Sequence, residues 1–286
     1  MVQLPVVTKL KAPPLLIVQT PIVAELKLGV NPELALAVKV GLVPTMGNLH
    51  SGHVRLAERA LELCDRVVVS VFVNPTQFGE NEDFDAYPRT LDGDEEALSA
   101  VCDESDVLFA PTVAEMYPGG DSVTTTVHVP ELSVGLCGEA RPGHFEGVAT
   151  VVSRLFNIVQ ADVGVFGEKD CQQLLVIKRL ARDLCFAIEV VGEPTVREVS
   201  GLAKSSRNRY LTANEKLEAP RLQMLLQETA TALKQGGTDY AALEQQASDK
   251  LTANGWKPDY FEIRSADDLS APTGDEKALV ILAAGY

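Results

Sequence analysis

The sequence has few basic residues for the number of acidic ones. Its 286 residues include 25 Lys and Arg against 40 Asp and Glu, which gives a formal net charge of −15 at pH 7. Nonspecific nucleic-acid binding depends on Lys and Arg that neutralise phosphates, so this balance argues against a nucleic-acid partner. A polyanionic ligand would need a local basic pocket within an acidic surface.

Paired cysteines and long apolar runs are also missing. The five cysteines are scattered without C-x-x-C spacing, and an odd number of separated thiols fits a reducing compartment. No apolar run reaches the roughly 20 residues that a membrane-spanning helix needs. Residues 1–18 contain three prolines and no uninterrupted signal-like apolar core. We therefore expect a cytoplasmic protein without a membrane partner.

Strand-like and helix-like segments alternate from about Val40 onwards. Short β-branched or apolar runs are separated by segments with helical spacing, which predicts parallel strands, crossover helices and hence a doubly wound α/β domain. Beyond residue 194 the composition changes to long Ala-, Gln- and Leu-rich helices and two strand-like segments, which predict a smaller α+β domain. We expect the domains at residues 1–194 and 195–286. The first 25 residues are interrupted by prolines and are not assigned.

The most informative motif is His50-Ser-Gly-His53. It falls where a strand ends and a helix begins, with the two histidines one turn apart on the same face. A helix start offers N–H groups and a positive dipole end to an anion, and histidine adds donors whose charge adjusts near neutral pH. The pattern alone also fits a surface pair or half of a zinc site, although no Cys pair or HExxH context accompanies it.

Two further strand ends carry polar side chains. Gln77 offers an amide to a small polar substrate. Lys169 follows a glycine between a strand and a helix, where backbone N–H groups and a mobile cation suit phosphate oxygens. Asp170 orients Lys169, holds a magnesium-bound water, or caps the helix, and the sequence leaves these interpretations open. Gln173 lies one turn further on and is expected to face the same crevice as Gln77.

The last motif is Lys204-Ser-Ser-Arg207, at the predicted domain junction. Two hydroxyl donors beside a planar, permanently charged guanidinium form a compact anion cradle. Serines before an arginine are common in ordinary loops, so the position of the motif matters more than its composition. A second domain that closes this loop over a polyphosphate would complete the site.

These motifs, in this order and across nearly the whole chain, resemble those of the pantoate–β-alanine ligase family, within the His-x-Gly-His nucleotidyltransferase superfamily. The matching stretches are PTMGNLHSGH, VVVSVFVNPTQF, YPRTL, ARPGHFEGVATVVSRLFNIVQADVGVFGEKDCQQL and GLAKSSRNRYL. The resemblance implies a Rossmann-like N-terminal domain, a smaller C-terminal lid domain and a homodimer. It also implies that ATP and magnesium are used to join (R)-pantoate to β-alanine through a pantoyl adenylate, releasing AMP and pyrophosphate.

The resemblance further implies roles for individual residues. Those expected to act on the ATP phosphates during catalysis are His50, His53, Lys169, Ser205, Ser206 and Arg207, with Mg²⁺ bound mainly through the phosphates themselves. Gln77 and Gln173 would hydrogen-bond pantoate, and Met46 would line its pocket. The residues expected around the nucleotide are Met46, Gly47, Asn48, Leu49, His50, Ser51, Gly52, His53, Gly167, Glu168, Lys169, Asp170, Val196, Lys204, Ser205, Ser206 and Arg207.

Two other functions stay open at this point. A related nucleotidyltransferase would transfer a nucleotide without forming an amide, but the Gln77 and Gln173 pair argues against it. A nonenzymatic nucleotide-binding protein would share the fold, but the two histidines and Lys169 argue against that. Lys204 stands where the family commonly has an apolar residue, and Ser200 stands where an aspartate is usual.

Overall fold

The computed structural model describes residues 16–18, 38–80, 82–120, 125–274 and 276–286. The chain divides into two compact units, and each is described by itself. The first runs to Val129 and resumes over Gly143–Val196, while the second comprises Pro130–Pro142 and Arg197–Tyr286. The unassigned segment 1–25 lies outside the described residues except for Leu16–Val18.

The first unit is built on a parallel sheet. Every strand pairing described in it is parallel, and the strand order is β1-β4-β3-β2-β5-β6. The prediction of a doubly wound, Rossmann-like α/β fold is therefore confirmed. The strands are β1 (Leu16–Val18), β2 (Val40–Thr45), β3 (Arg66–Val71), β4 (Val107–Phe109), β5 (Val163–Gly167) and β6 (Glu189–Glu193).

Helices lie between these strands in the sequence, as the alternation predicts. The strands carry near-continuous apolar runs because a parallel sheet is covered on both faces, and Leu42, Val67 and Val163 are fully buried. Helix α1 packs Ala57 and Ala60 into the same core. The helices of the first unit are α1 (Ser51–Leu63), α2 (Leu91–Leu98), α3 (Val113–Met116), α5 (His144–Val159) and α6 (Cys171–Asp183), and α4 (Cys137–Ala140) lies in the second unit.

The order of the strands reverses between β2 and β5. From β2 the chain continues outward to β3 and β4, whereas β5 and β6 lie on the other side of β2. In open parallel sheets, ligands bind outside the carboxyl ends of the strands at such a switch point. The carboxyl ends of β2 and β5 lead directly into the segments that carry His50 and Lys169.

The second unit has a small antiparallel sheet of β7 (Pro258–Ser265) and β8 (Leu279–Gly285). Its further helices are α7 (Ala213–Glu218), α8 (Arg221–Lys234) and α9 (Tyr240–Ala253). In the segment 130–142, Cys137 Sγ lies 2.9 Å from the Tyr260 hydroxyl on β7. The α+β prediction is confirmed. Across the described ranges of both units, no helix is long and apolar enough to cross a membrane.

Candidate active site

The histidine motif lies at the start of α1, on the loop that leaves β2. His50 is the N-cap residue, and its Nδ1 accepts a hydrogen bond from the Gly52 N–H at 3.1 Å. His53 completes a capping box, since its Nδ1 accepts from the His50 N–H at 3.3 Å. Each ring thus pairs with a backbone N–H at a helix start, where intrahelical partners are lacking. Two of the backbone N–H groups expected to face an anion, those of His50 and Gly52, therefore already donate to the histidine rings.

The same hydrogen bonds determine where the two rings carry their protons. A ring nitrogen that accepts a hydrogen bond is unprotonated, so each neutral ring holds its proton on Nε2. The rings stack, with centroids 4.0 Å apart and planes at 27°. Desolvation of the His53 ring, followed by the charges of His50 and Lys169, lowers the pKa of His53 from 6.5 to about 3. His53 is therefore a neutral N–H donor at neutral pH, which corrects the expectation that its charge adjusts there.

Lys169 and Asp170 lie at the carboxyl end of β5, in a 3-10 turn (Glu168–Asp170) that precedes α6. Lys169 Nζ is 3.6 Å from Asp170 Oδ1, and both side chains are about half exposed, at 42% and 58%. Asp170 is the N-cap residue of α6 but makes no side-chain cap hydrogen bond, so of the three interpretations left open the structure favours the contact with Lys169 over the cap. Because the charge of Lys169 also acts on His53, the two motifs meet at the switch point.

Gln77 lies in the 3-10 turn Pro75–Gln77 that follows β3. Its Oε1 accepts from Asn74 Nδ2 at 3.1 Å, and its Nε2 donates to Met46 Sδ at 3.1 Å. Met46 directly follows β2, so two candidate pantoate residues from neighbouring strands are in contact. Tyr117, which was not predicted to belong to the site, donates its hydroxyl to Asn74 Oδ1 at 2.7 Å. The amide of Gln77 is thereby held in one orientation.

Helix α5 packs closely on this turn because residue 147 is a glycine. A Cβ on Gly147 would come within 2.3 Å of the Thr76 carbonyl oxygen, and Asn74 Nδ2 donates to the Gly147 carbonyl at 3.2 Å. His144, at the start of α5, is buried, and its Nδ1 lies 2.9 Å from the Gln77 carbonyl oxygen. These contacts indicate a structural role for His144. They fix the backbone from which the Gln77 side chain extends.

Asp94, on the first turn of α2, contacts the loop between β2 and α1. Its Oδ1 accepts from the Leu49 N–H at 2.7 Å, and its Oδ2 accepts from the Asn48 N–H at 3.1 Å. The side chain is almost fully buried, and desolvation raises its pKa against the lowering effect of these hydrogen bonds. Sequence reasoning missed Asp94 because it stands among other acidic residues at a helix start, where acidic residues are common for a different reason.

A network of ion pairs joins α1 to the end of β6. Glu193, the last residue of β6, is 8% exposed and accepts from Arg55 Nε at 2.8 Å. Arg59 Nε is 3.7 Å from the other oxygen of Glu193. On the exposed side, Arg55 also pairs with Glu58 at 3.3 Å and Glu62 at 2.8 Å. The helix that carries both histidines is thus tied to the sheet on the side beyond the switch point.

The Lys204–Arg207 cradle lies in the second unit. Ser205 caps the 3-10 turn Ser206–Tyr210, and its Oγ accepts from the Arg207 N–H at 3.2 Å. Lys204 Nζ lies 3.7 Å from Glu198 Oε1, so the cation that departs from the family pattern is paired with a carboxylate of the same unit. Arg207 is exposed, whereas Ser205 and Ser206 are half-buried. The phosphate-binding role of this turn stays a prediction.

The remaining candidates lie at the ends of elements in the first unit. Gly167 ends β5, Gln173 is half-buried on the first turn of α6, and Val196 is the last residue of the unit. The side-chain hydrogen bonds of Gln77 go to Asn74 and Met46, and within the described residues none joins it to Gln173. Over the same ranges, no group of three or more His, Cys, Asp or Glu side chains is arranged to hold a metal ion.

The sequence and the fold of the chain are similar to those of known proteins. The chain matches the family model of pantoate-beta-alanine ligase over residues 22–286. The pantothenate synthetase of Pseudomonas putida (strain GB-1) is 55% identical over 249 residues, which are 87% of this chain and 86% of that protein. The crystal structure of pantothenate synthetase from Thermus thermophilus is 42% identical, with a TM-score of 0.81 and 94% of each chain covered.

A further solved relative is the pantoate-beta-alanine ligase from Francisella tularensis, complexed with beta-gamma ATP and beta-alanine. It is 31% identical, with a TM-score of 0.68, and the match covers 87% of this chain and 89% of that one. The family model spans almost the whole sequence, and the solved relatives share the fold over most of both chains. On these grounds the chain belongs to the pantoate–β-alanine ligase family of enzymes.

Proposed function

We propose that the chain makes pantothenate from (R)-pantoate and β-alanine with ATP, through a pantoyl adenylate, and releases AMP and pyrophosphate. One observation carries the proposal beyond the family: the stacked His50 and His53 rings and the ammonium of Lys169 act on one another at the switch point of the sheet. This is a set of cationic and N–H donors at the place where such a fold binds ligands.

The first half-reaction explains why such donors are needed. A carboxylate is a poor electrophile, so pantoate must be activated before an amine attacks it. A pantoate oxygen attacks the α-phosphorus of ATP, the bond from that phosphorus to the bridging oxygen breaks, and pyrophosphate leaves with the electron pair. Both reactants are anionic, and donors must offset their repulsion and the charge that grows on pyrophosphate.

The histidines suit this task because their orientation is set before ATP binds. Their Nδ1 atoms accept N–H groups of the capping box, and we assign their Nε2–H groups as donors to the nucleotide. A donor that is already oriented costs no reorganisation as the reaction proceeds. We assign Lys169 to the phosphates as a point charge, and Ser205, Ser206 and Arg207 to the β- and γ-phosphates.

The second half-reaction forms the amide. The neutral amine of β-alanine attacks the acyl carbon of the adenylate, and the bond from that carbon to the AMP oxygen breaks. The nitrogen releases one proton to solvent, and the amide keeps one N–H. Gln77 and Gln173 are proposed to hold the pantoyl group, with Met46 against it. Water must be excluded during this step, because the mixed anhydride hydrolyses.

The residues beside Lys169 fit a magnesium ion that arrives on ATP. Mg²⁺ prefers oxygen ligands, keeps several waters and binds substrate phosphates through few protein carboxylates. Asp170 offers an exposed carboxylate at the carboxyl end of β5, which suits contact with a magnesium-bound water. When bound, the metal would neutralise part of the charge on the phosphates.

Three expectations stay predictions alongside the reaction. The first two are a homodimer and a cytoplasmic location. The third is that residues 1–194 form the domain that binds the nucleotide and pantoate, and that residues 195–286 form a lid domain. Light scattering on the purified protein with and without substrates tests the dimer.

A product assay tests the reaction. The protein is incubated with ATP, Mg²⁺, (R)-pantoate and β-alanine, and AMP is resolved from ADP. We expect pantothenate and AMP to appear in equal amounts, together with pantoate-dependent exchange of pyrophosphate into ATP. If pyrophosphate exchange occurred but no pantothenate formed, the first half-reaction would be supported and only the second would be contradicted. ATP binding without either signal would favour a nonenzymatic nucleotide-binding protein.

Two substitutions test the assigned donors. His53→Ala and Lys169→Ala are each expected to lower the rate of adenylation by at least about a hundredfold, as the loss of a charge-stabilising group typically does. Lys178→Ala, which removes an exposed lysine from α6, is the matched control and is expected to leave the rate unchanged. Near-normal exchange in either test variant would remove that residue from the mechanism.

A further inference from the structure

Asp94 is a buried carboxylate with no role in the proposed chemistry, yet it contacts the loop that carries the first histidine. It is 1% exposed, and both of its oxygens accept backbone N–H groups of that loop, from Asn48 and Leu49. Thr90 Oγ1 adds a third donor to Oδ1 at 3.2 Å. The carboxylate is thus surrounded by donors from the protein itself.

The loop has a conformation that requires such a partner. Gly47 and Asn48 both have positive φ, at 80° and 51°, and an L-residue in this region typically costs about 1 kcal/mol. Successive N–H groups in left-handed and turn conformations form a concave nest that binds an anion. A Cβ on Gly47 would lie 2.9 Å from Asp94 Oδ2, so the glycine lets the backbone approach the carboxylate closely.

We propose that Asp94 is a positioning residue for adenylation: by binding the Asn48 and Leu49 N–H groups, it sets the place from which the His50 and His53 rings reach ATP. His50 is the next residue along the chain and also the N-cap of α1, so a shift of the loop is transmitted to both rings through the capping box. The inference rests on the proposed function for its kinetic part, but its structural part stands without it.

The test compares Asp94→Asn with Asp92→Asn, an exposed acidic residue of the same helix turn. An asparagine keeps the size of the side chain but directs its NH₂ group at one of the two loop N–H groups, so one hydrogen bond is lost. We expect D94N to lower kcat of pantoate-dependent pyrophosphate exchange by about tenfold or more, since misplacement by about 1 Å can cost a hundredfold. D92N is expected to retain the wild-type rate.

Two readouts separate positioning from other roles. Long-range ¹H–¹⁵N spectra report the imidazole tautomers without any need for catalysis. We expect the Nε2–H form of both histidines in wild type and D92N, and a mixture of tautomers in D94N. Unchanged histidine signals in a folded D94N would overturn the proposal, even if the protein lacked ligase activity.

A magnesium titration gives the second readout. The concentration of Mg²⁺ for half-maximal exchange is expected to be the same in D94N and wild type, and recovery of the rate at high Mg²⁺ would mean that Asp94 acts on the metal instead. If D94N does not fold, Thr90→Val removes only the third donor, and it is expected to lower kcat by about twofold to threefold with the same change in the spectra. Wild-type spectra and kcat in T90V would then count against the proposal.

Discussion

Replacing Gly147 by alanine is expected to weaken the first unit and the binding of pantoate together. The new Cβ would lie 2.3 Å from the Thr76 oxygen, 2.5 Å from the Thr76 carbonyl carbon and 2.7 Å from Gln77 Cα. All three are backbone atoms, so no flexible side chain can move aside. Helix α5 and the turn that carries Gln77 must separate by about 1 Å to restore ordinary contact distances.

The size of the effect follows from two opposing contributions. Overpacking of a well-packed site typically costs about 1–3 kcal/mol, whereas alanine is favoured over glycine in a helix by roughly 1 kcal/mol. At the upper end of the first range, the net loss is about 2 kcal/mol, which corresponds to a fall in Tm of about 4–8 °C for a unit of this size. Because the Asn74 hydrogen bond to Gly147 is stretched as well, the KM for pantoate is expected to rise by about tenfold, the equivalent of 1.4 kcal/mol.

Gly93→Ala is the matched control. Gly93 also lies in a helix, α2, but no heavy atom lies within 4 Å of its added Cβ. Here only the helix propensity acts, so the variant is expected to be more stable than wild type by up to about 1 kcal/mol and to bind pantoate normally. Thermal unfolding and the pyrophosphate-exchange assay measure both effects. If Gly147→Ala were as stable as Gly93→Ala, the argument from the close approach of α5 would be wrong.

Three other predictions concern charge. The pKa of His53 is about 3 in the folded state against 6.5 unfolded, so only the unfolded chain binds that proton between these pH values, and stability falls below pH 6.5 by up to about 1.4 kcal/mol per pH unit. The Tm of wild type is therefore expected to fall more than that of His53→Gln between pH 7 and pH 5. An equal fall of Tm in the two proteins would contradict this. Glu193→Gln, which neutralises the buried member of the ion-pair network, is expected to cost about 1–3 kcal/mol in urea unfolding, but the exposed Glu58→Gln less than about 0.5 kcal/mol. Lys204→Met is expected to change the KM for ATP by less than about threefold and Arg207→Ala to raise it by at least about tenfold; equal effects would mean that the two cations share one role.

The elements that carry the candidate site were predictable because their signals are local. A buried β-branched run followed by helical spacing fixes the strand-to-helix junction at His50 and at Lys169, and the parallel sheet follows from the repetition of that unit. Their meeting at one edge follows from the topology of such sheets. The resemblance of the motifs then supplied the family, which the comparisons confirmed.

Other features depend on contacts that no local pattern encodes. Asp94 lies 46 residues from Asn48 in the sequence, and its neighbouring acidic residues give the same local signal. The reciprocal capping by His50 and His53 depends on the orientations of their rings. The neutral state of His53 depends on the burial of its ring and on the nearby charges. The spacing of the motif gave the positions of the rings but neither their tautomer nor their pKa.

The second unit draws on two separate stretches of the chain, and this has a consequence for synthesis. Residues 130–142 leave the ribosome before the last strands of the first unit have been synthesised. Cys137 can contact Tyr260 only after a further 123 residues have been added to the chain. At typical rates of about 5–20 residues per second, the delay is about 6–25 s. A truncated product that ends near residue 196 would therefore contain residues 130–142 without the rest of the second unit. For the same reason, cleavage at one peptide bond cannot yield two fragments that each contain one complete unit.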